Sequence, residues 1–352
     1  MTDLLKDIWY FACLSAELKP GKMERRFYCG VPVVIGRDAK GSVFALRDVC
    51  PHRAAPLSAG RQVEEGGETA LECPYHGWRM KTSDGVCAKI PALSETSTFP
   101  VSNMKTARFP LHEEKGTVWI YMPADLKRFD GAPVIAPPQL ATAVGDAPKM
   151  VVTVPAKGPY DEAVIGLVDP AHTPFVHQQW FWRNPAEASE KVKDYEPTAR
   201  GFRMKAHPPS KNGRAYRIIG GNPTTEIEFE LPGLRYETIR NEKHTILSFT
   251  AITPTKDGES VINHLVWWDM ALLTIARPFF MPLARTFLSQ DGKILSQQAE
   301  NIEREQPAMM YVDDPDMLAK WYLKLKREWT EAREQGRDFV NTLEPAQLRW
   351  RT

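Results

Sequence analysis

Short runs of hydrophobic residues separated by polar and turn residues dominate the first third of the chain. The stretches RRFYCGVPVVIGR, SVFALRDV and GTVWIYM are rich in β-branched and aromatic residues, and Gly, Asp and Pro separate them. Such residues favour strands, and Gly and Pro mark the turns between strands. No sustained helical period runs between Trp9 and Met122. The pattern therefore predicts an all-β domain.

A stretch dense in Pro, Ala, Gly and Asp follows this region. It reads PADLKRFDGAPVIAPPQLATAVGDAPK and covers residues 123–149. Such a composition is typical of a linker or an irregular surface segment. We place the domain boundary near its start, which divides the chain into residues 1–124 and residues 125–352.

The second domain shows both helical and strand patterns. A helix-rich segment, DEAVIGLVDPAHTPFVHQQWFW, precedes candidate strands in FRMKAH, AYRIIG, TEIEFEL, LRYETIR, HTILSFTAIT and SVINHLVWWDM. The turn signals KNG, GGNP, LPG and KDG separate these runs, as expected of an antiparallel meander. From about Ala276 onward the pattern becomes helical. Strands grouped in one run with helices at its ends predict an α+β fold.

Composition and charge narrow the class of protein. The chain has 352 residues and a formal net charge of +1, so nothing suggests nucleic acid as a partner. The apolar runs look shorter than a membrane span, and the first residues lack a signal-peptide pattern, so we expect no membrane and a cytoplasmic location. Five cysteines are few and odd in number, which argues against a disulfide framework and for a reducing compartment.

Two short motifs each combine one cysteine with one histidine. Cys50 and His52 lie in CPHR, and Cys73 and His76 lie in CPYHGW. Structural zinc is the commonest metal for such a set, but zinc fingers usually pair Cys with Cys and His with His on one loop. A [2Fe–2S] cluster in which one iron takes both thiolates and the other takes both imidazoles explains the mixed pairs.

The two motifs resemble the Rieske motif of the Rieske non-haem iron oxygenases. The resemblance covers essentially the whole chain. It implies an N-terminal all-β Rieske [2Fe–2S] domain, with the four residues above as cluster ligands. It also implies a C-terminal helix-grip (START-like) catalytic domain built on an antiparallel sheet and holding a mononuclear Fe(II).

A third motif, GLVDPAHTPFVH, contains candidate ligands for that second iron. His172 and His177 are five residues apart, about 140° on an ideal helix, so both face one metal only if the helix is distorted or ends between them. Pro174 between them would break a regular helix. Two histidines and one carboxylate form the facial triad that binds non-haem iron and leaves positions open for dioxygen. A purely structural alternative treats Asp169 and Pro170 as the N-cap and first residue of a helix.

The resemblance assigns roles to the carboxylates. It makes Asp169 a bridge, not a ligand, that links an iron-bound histidine to a cluster-bound histidine, His76, of a neighbouring subunit. It takes the third ligand from a late helix, where Asp291 in FLSQDGKILSQQAENIE matches, although Asp-Gly also favours a plain turn. Asp269 and Glu300 are the alternative third ligands.

One position departs from the family pattern, because Gly166 stands where many relatives carry Asn. Hydrogen bonding near the open iron positions is therefore expected to differ. Aromatic residues near the third motif and in the last strand are candidates for a substrate pocket, or else for the core. The candidates are Phe175, Trp180, Phe181, Trp182, Trp267 and Trp268.

The resemblance predicts a terminal oxygenase that uses O₂ and electrons from NAD(P)H, delivered by a reductase or ferredoxin. The chain is similar in length to the vanillate and dicamba O-demethylases and related N-demethylases, which are commonly homotrimers. This favours dealkylation or monohydroxylation of a small aromatic substrate over the alternative, ring cis-dihydroxylation. Two other classes compete with this prediction, a Rieske electron carrier without oxygenase activity and a zinc-stabilised binding module.

Overall fold

The computed structural model describes residues 4–177, 188–209, 219–256 and 258–352. The chain divides into two compact units. One unit consists of Lys6–Pro138 together with Thr255 and Lys256, and the other contains the rest of the described chain. The two units are described in turn.

The N-terminal unit is built from ten short strands. These are β1 (Ile8–Leu14), β2 (Lys22–Tyr28), β3 (Val31–Arg37), β4 (Val43–Arg47), β5 (Arg61–Glu65), β6 (Glu68–Glu72), β7 (Arg79–Lys81), β8 (Cys87–Lys89), β9 (Leu111–Glu114) and β10 (Thr117–Met122). They form antiparallel sheets in the orders β1-β10-β9, β2-β3-β4 and β5-β6-β7-β8. Three single-turn 3₁₀ helices lie at Ser15–Glu17, Leu57–Ala59 and Val101–Asn103. The predicted all-β domain is confirmed.

The Pro-rich segment after β10 packs onto this unit. The indole N–H of Trp9 donates to the carbonyl of Ile135 at 2.9 Å, and the ring of Phe129 stacks on Tyr121 at 5.6 Å. The N-terminal unit therefore extends to Pro138, beyond the boundary expected at residue 124. A segment without regular secondary structure looked like a linker in sequence, but its apolar side chains bind it to the β-domain.

The C-terminal unit contains one eight-stranded antiparallel sheet. Its strands are β11 (Met150–Lys157), β12 (Glu190–Pro197), β13 (Gly201–His207), β14 (Thr224–Glu230), β15 (Leu234–Arg240), β16 (Thr245–Pro254), β17 (Glu259–Trp268) and β18 (Ala346–Arg351). Their order is β11-β17-β16-β15-β14-β13-β12-β18. The helices are α1 (Tyr160–Val168), α2 (Thr173–Val176), α3 (Ala271–Glu305) and α4 (Met317–Glu334). This arrangement confirms the α+β prediction with an antiparallel sheet.

Two strands at one end of the sheet are absent from the sequence prediction. The strands β12 and β18, EKVKDYEP and AQLRWR, are rich in charged residues and pair with each other, with β18 at the edge and β12 between β18 and β13. Arg349 and Arg351 of β18 are exposed at this edge, where charged residues are common. The candidate strand AYRIIG falls mostly outside the described residues.

The amphipathic helix α4 places one apolar face on the core. Leu318, Tyr322, Leu325 and Trp329 recur at helical spacing and are all buried. The hydroxyl of Tyr322 donates to the carboxylate of Asp161 at 2.6 Å, which fixes α4 against the start of α1. The apolar residues that recur at helical spacing in the sequence thus form the face that the helix buries.

The long helix α3 begins earlier than expected and runs through the Asp-Gly dipeptide. Gly292 permits this, because a Cβ there would lie 2.7 Å from the backbone carbonyl oxygen of Pro155 in β11. The absent side chain lets α3 approach the sheet closely. The turn interpretation of Asp-Gly is therefore wrong at this position, because tertiary packing outweighs local turn preference.

Replacing Gly292 with Ala is expected to destabilise the protein. The new methyl group would collide with a backbone atom that cannot rotate away, at a cost of about 1–3 kcal/mol that exceeds the gain in helix propensity. Gly166→Ala in α1 is the matched control, because a Cβ there meets nothing within 4 Å. We expect this control to raise the free energy of unfolding by about 0.5–1 kcal/mol. Urea denaturation of both variants measures the difference, and equal stabilities would contradict the close approach.

Within the described residues, α3 is the one helix long and apolar enough, by length and composition, to cross a membrane. The length and composition of α3 contradict the expectation that every apolar run in the sequence is far shorter than a membrane span. A single helix of this kind is weak evidence for membrane insertion, and this one also carries Asp291 and two prolines, Pro278 and Pro282.

Candidate metal centres

Two loops of the N-terminal unit share one backbone pattern. The N–H of Ala54 donates to the carbonyl of Cys50 at 2.9 Å, and the N–H of Gly77 donates to that of Cys73 at 3.0 Å. In return, Cys50 and Cys73 donate to the carbonyls five residues ahead, at 2.9 and 2.8 Å. Ala54 and Gly77, each four residues after its cysteine, have positive φ angles of 57° and 71°. The same tight turn therefore presents one Cys and one His from each loop.

The turns bring like ligands together. Burial raises the pKa of the Cys50 thiol to about 11, and the adjacent Cys73 thiol adds to the effect. The rings of His52 and His76 lie 4.6 Å apart. Two thiols side by side and two imidazoles side by side, drawn from two mixed loops, are the set that a Rieske cluster requires.

The immediate surroundings fit a bound cluster. The buried Nδ1 of His52 has no hydrogen-bond partner in the structure, so it is free to bind a metal. The ring of His52 stacks on Trp78 at 4.7 Å with an interplanar angle of 3°. Cys87 is buried in the same apolar cluster and forms no disulfide. The donor set therefore fits a two-iron cluster held by Cys50, His52, Cys73 and His76.

In the C-terminal unit, the candidate iron ligands flank a single helical turn. The helix α1 ends at Val168, and the chain re-enters a helix only for the four residues of α2. His172 precedes α2 and His177 follows it. The helix α2 ends at Val176, and His177 is no longer helical, with φ −100° and ψ 71°. The helix therefore ends between the two histidines, which lets both imidazoles face one metal. Pro174 sits in the first turn of α2, where its missing N–H costs nothing, so it does not break this helix.

Asp291 on α3 completes the group. Its Oδ1 lies 3.3 Å from His177 Nε2 and 3.7 Å from His172 Nε2. The three ligand atoms lie within 4.8 Å of one another, and no other group of His, Cys, Asp or Glu in the described chain meets this condition. Ligands about 2.1 Å from one ion and at right angles lie about 3 Å apart, so the group fits a facial triad with small adjustments.

The alternative third ligands are occupied elsewhere. Asp269 accepts a hydrogen bond from the backbone N–H of Thr245 at 3.2 Å and contacts His244 Nδ1 at 3.1 Å. Glu300 pairs with Arg304 one helical turn along α3. The structure brings Asp291, and neither alternative, to the two histidines.

Asp169 ends α1 rather than starting a helix. Its Oδ1 accepts a hydrogen bond from the backbone N–H of Ala171 at 2.6 Å, and its Oδ2 lies 3.4 Å from His172 Nδ1. The second contact is too poorly aligned for a regular hydrogen bond and is mainly electrostatic. Burial opposes protonation of His172, but the carboxylates of Asp169 and then Asp291 outweigh it and raise its pKa. Asp169 thus orients His172 from the side opposite the metal-facing nitrogen.

His177 is held by two residues of α3 that the sequence analysis missed. Its Nδ1 lies 3.1 Å from Oε1 of Gln290, and its ring stacks on Phe287 at 3.6 Å between centroids. The side chain of His177 is 1% exposed. A proton on Nδ1 shared with Gln290 leaves Nε2 as the metal-binding atom. The one signal in the sequence is that Phe287, Gln290 and Asp291 are spaced to lie on one face of a helix.

Replacing Gln290 with Leu is expected to weaken iron binding about 10- to 100-fold, because His177 loses the acceptor that fixes its tautomer. Titration of Fe(II) or Co(II) into the metal-free protein measures the affinity. Gln298→Leu is the matched control on the same helix, since Gln298 donates to Glu162 rather than to a ligand. Unchanged metal affinity in Gln290→Leu would contradict the role assigned to Gln290.

The candidate ligands form part of the wall of a large cavity. The cavity has a volume of about 930 Å³ and is enclosed by one face of the sheet together with residues of α1, α2 and α3. His172, His177, Asp291 and Gly166 all line it. A Cβ at Gly166 would meet open space, so the missing Asn leaves room beside the ligands.

The predicted aromatic pocket residues have different positions. Trp267 is fully buried and does not line the cavity, because strand alternation turns it to the opposite face of β17. Its neighbour Trp268, also a predicted pocket residue, lines the cavity. Phe175 is 60% exposed and lies outside the cavity wall. Trp180, Phe181 and Trp182 lie outside the described residues.

These two centres define a class of protein, one that holds a Rieske-type cluster in a β-domain and a single non-haem iron in a helix-grip domain. The Rieske [2Fe-2S] domain family matches residues 8–100, and the vanillate O-demethylase oxygenase C-terminal domain family matches residues 166–331. The chain therefore combines a Rieske [2Fe-2S] domain with a vanillate O-demethylase oxygenase C-terminal domain.

Relatives and solved structures agree with this assignment. The chain is 35% identical to chlorophyllide a oxygenase of Chlamydomonas reinhardtii over 51% of its length and 25% of that protein. It is 31% identical to the oxygenase subunit of 3-chlorobenzoate-3,4-dioxygenase of Comamonas testosteroni over 50% of its length and 39% of that protein. The chain thus matches well under half of the length of these relatives. The crystal structure of dicamba monooxygenase bound to dicamba shares the fold, with a TM-score of 0.70 at 20% identity, covering 96% of this chain and 99% of that one.

Proposed function

We propose that this protein is the terminal oxygenase component of a Rieske oxygenase system. It takes electrons from NAD(P)H through a reductase or ferredoxin and uses O₂ to oxidise an apolar, aromatic substrate by O- or N-dealkylation or by monohydroxylation. The observation that carries the proposal is the convergence of His172, His177 and Asp291 on the wall of an apolar cavity. An electron carrier needs no such cavity beside a second metal centre.

The bound metals supply one-electron transfer at the cluster and dioxygen chemistry at the mononuclear iron. The chain's own residues hold and orient these groups. Asp169 and Gln290 fix the two ligand histidines by their Nδ1 atoms, so that both present Nε2 to one ion. The cavity walls beside the ligands are mostly apolar.

We further propose that the protein acts as a homotrimer. In the cluster domain, the ring of His76 is only partly buried and is covered by Tyr75, which is 60% exposed. This leaves His76 near the surface, where the carboxylate of Asp169 from a neighbouring subunit would meet it. A repeated heterologous contact of this kind closes into a ring with three-fold symmetry. Analytical ultracentrifugation of the holoprotein tests the trimer.

Metal analysis and turnover test the function. The holoprotein is expected to contain about three irons per chain, two of them with acid-labile sulfide, and to consume O₂ and NADH when a reductase and a substrate are supplied. Two irons per chain without a mononuclear signal would leave only an electron carrier. Zinc without acid-labile sulfide would show a zinc-stabilised module instead.

Ring cis-dihydroxylation is the second candidate, and the similarity to a chlorobenzoate dioxygenase subunit favours it. The fold is similar to that of dicamba monooxygenase, with a TM-score of 0.70, and to that of Pseudomonas putida NdmA, with a TM-score of 0.65. This similarity favours the first candidate, dealkylation or monohydroxylation. A panel of methoxy-, N-methyl- and unsubstituted arenes separates the two. Formaldehyde release indicates dealkylation, and a cis-diol indicates dihydroxylation.

A further inference from the structure

The cavity is much larger than one aromatic ring requires. Its volume of about 930 Å³ compares with the roughly 150 Å³ of a protein cavity that holds benzene. It lies at the upper end of the range, about 300–1,000 Å³, in which proteins bury drug-sized ligands. Most of its wall is apolar, with Ile227, Ile239, Ile252, Ile262, Val266 and Trp268 on the sheet side. A single ring would leave most of this apolar surface without contacts.

The sheet wall also carries a strip of polar side chains in adjacent register. Arg235 of β15 pairs with Thr250 of β16, and Thr250 pairs with His264 of β17, so the three form one row across three strands. Thr250 Oγ1 and His264 Nδ1 are hydrogen-bonded at 2.9 Å. Arg235 forms an ion pair of 3.0 Å with Glu237, which lies two residues further along β15. All four side chains line the cavity, and we call them the polar strip.

The polar strip carries no net charge. The guanidinium of Arg235 is balanced by the carboxylate of Glu237. Burial, and then the charge of Arg235, lower the pKa of His264 to about 4, so its imidazole is neutral near pH 7. A substrate anion would meet no unbalanced positive charge here. The lysines that line the cavity, Lys191 and Lys193, lie on β12, three strands away from β15 in the sheet.

A charge-balanced set of hydrogen-bonding groups on an otherwise apolar wall selects a particular kind of ligand. A buried site of this type rejects a ligand that lacks the matching polar atom, because its own groups then stay unpaired. The ligand that satisfies both the volume and the strip has several fused apolar rings and one uncharged oxygen. The candidate iron ligands line the helical side of the same cavity.

We propose that the substrate is a neutral polycyclic molecule whose hydroxyl or carbonyl group hydrogen-bonds to Arg235, Thr250 and His264 while its rings fill the cavity. The proposal rests on the oxygenase function proposed above and replaces the aromatic substrate named there by a ligand of about four fused rings. It concerns binding, so its test does not depend on turnover.

Binding of three probes to the full-length holoprotein tests the proposal. The probes are a 3-hydroxysteroid, the same steroid without the 3-oxygen, and 4-methoxybenzoate, and the measurement is isothermal titration calorimetry. We expect the hydroxysteroid to bind at least about 10-fold more tightly than its deoxy analogue, as for loss of one buried hydrogen bond. Equal affinity of the two steroids, or tighter binding of 4-methoxybenzoate, would overturn the proposal.

Two variants connect the effect to the polar strip. Thr250→Val and His264→Phe are expected to weaken hydroxysteroid binding about 10-fold and to leave the deoxy analogue unchanged. Thr253→Val is the matched control, because it makes the same Thr-to-Val change in β16 at a side chain on the face away from the cavity. An equal loss in the control would mean that the effect is structural, and no loss in Thr250→Val and His264→Phe would place the ligand elsewhere.

The experiments distinguish a failure of the proposed substrate class from a failure of the proposed function. A protein with about three irons per chain that demethylates methoxyarenes but binds neither steroid refutes this inference alone. A protein without mononuclear iron refutes the proposed function, whatever the steroid affinities.

Discussion

Asp291→Ala is expected to remove the mononuclear iron and leave the Rieske cluster intact. Iron content should fall from about three to about two per chain, with unchanged visible and EPR spectra of the cluster. The reason is geometric, because Asp291 supplies the one carboxylate within 3.3 and 3.7 Å of the two ligand histidines. Two imidazoles alone do not complete the triad. Substrate oxidation should fall by more than about 100-fold, beyond the 10- to 100-fold typical of a lost supporting contact.

Asp269→Ala and Glu300→Ala are the matched controls. Each removes one of the alternative carboxylates, and neither carboxylate contacts the ligand histidines. Both variants should keep about three irons per chain and retain turnover. Loss of the mononuclear iron in Asp269→Ala, with retention in Asp291→Ala, would reverse the assignment of the third ligand.

Asp169→Asn is expected to slow turnover about 100-fold while both metal centres stay loaded. The amide keeps an oxygen for the backbone N–H of Ala171, so the turn after α1 survives. It loses the negative charge that lies 3.4 Å from His172 Nδ1. It also loses the acceptor proposed for His76 of the neighbouring subunit. The measurements are iron content, cluster spectra and substrate-dependent NADH consumption in the same preparation.

The conservative variant separates charge from structure. Asp169→Glu restores the carboxylate and should recover part of the lost turnover, whereas a purely structural role would leave both variants equally impaired. Normal turnover of Asp169→Asn with full iron content would refute the bridging role. Loss of iron in that variant would show instead that Asp169 is needed for His172 to bind the iron.

The cluster site and the strand pattern were predictable because they depend on local spacing. Cys50 and His52 lie two residues apart, and Cys73 and His76 lie three apart, so one tight turn presents each pair. Apolar runs separated by turn signals likewise predicted most strands of the large sheet. Prediction failed where the local signal was weak, as in the charged strands β12 and β18, and at Trp267, which strand alternation turns away from the cavity.

The iron site depended on packing that spacing does not encode. Asp291, Asp269 and Glu300 are all acidic residues in the same part of the chain, and resemblance alone favoured the first. The structure separates them because Gly292 brings α3 within reach of β11, which places Asp291 and Gln290 against His177. The same close approach turned an apparent Asp-Gly turn into the interior of a helix.

By itself, the sequence predicted the two-domain α+β plan from local patterns, and the family resemblance added the cluster ligands and the two histidines of the third motif. Only the tertiary structure decided which distant carboxylate joins them, how Gln290 and Phe287 hold His177, and which side chains form the polar strip. These features depend on strand register and on helix-to-sheet distance. Both are set by side chains that pack together from segments far apart in sequence.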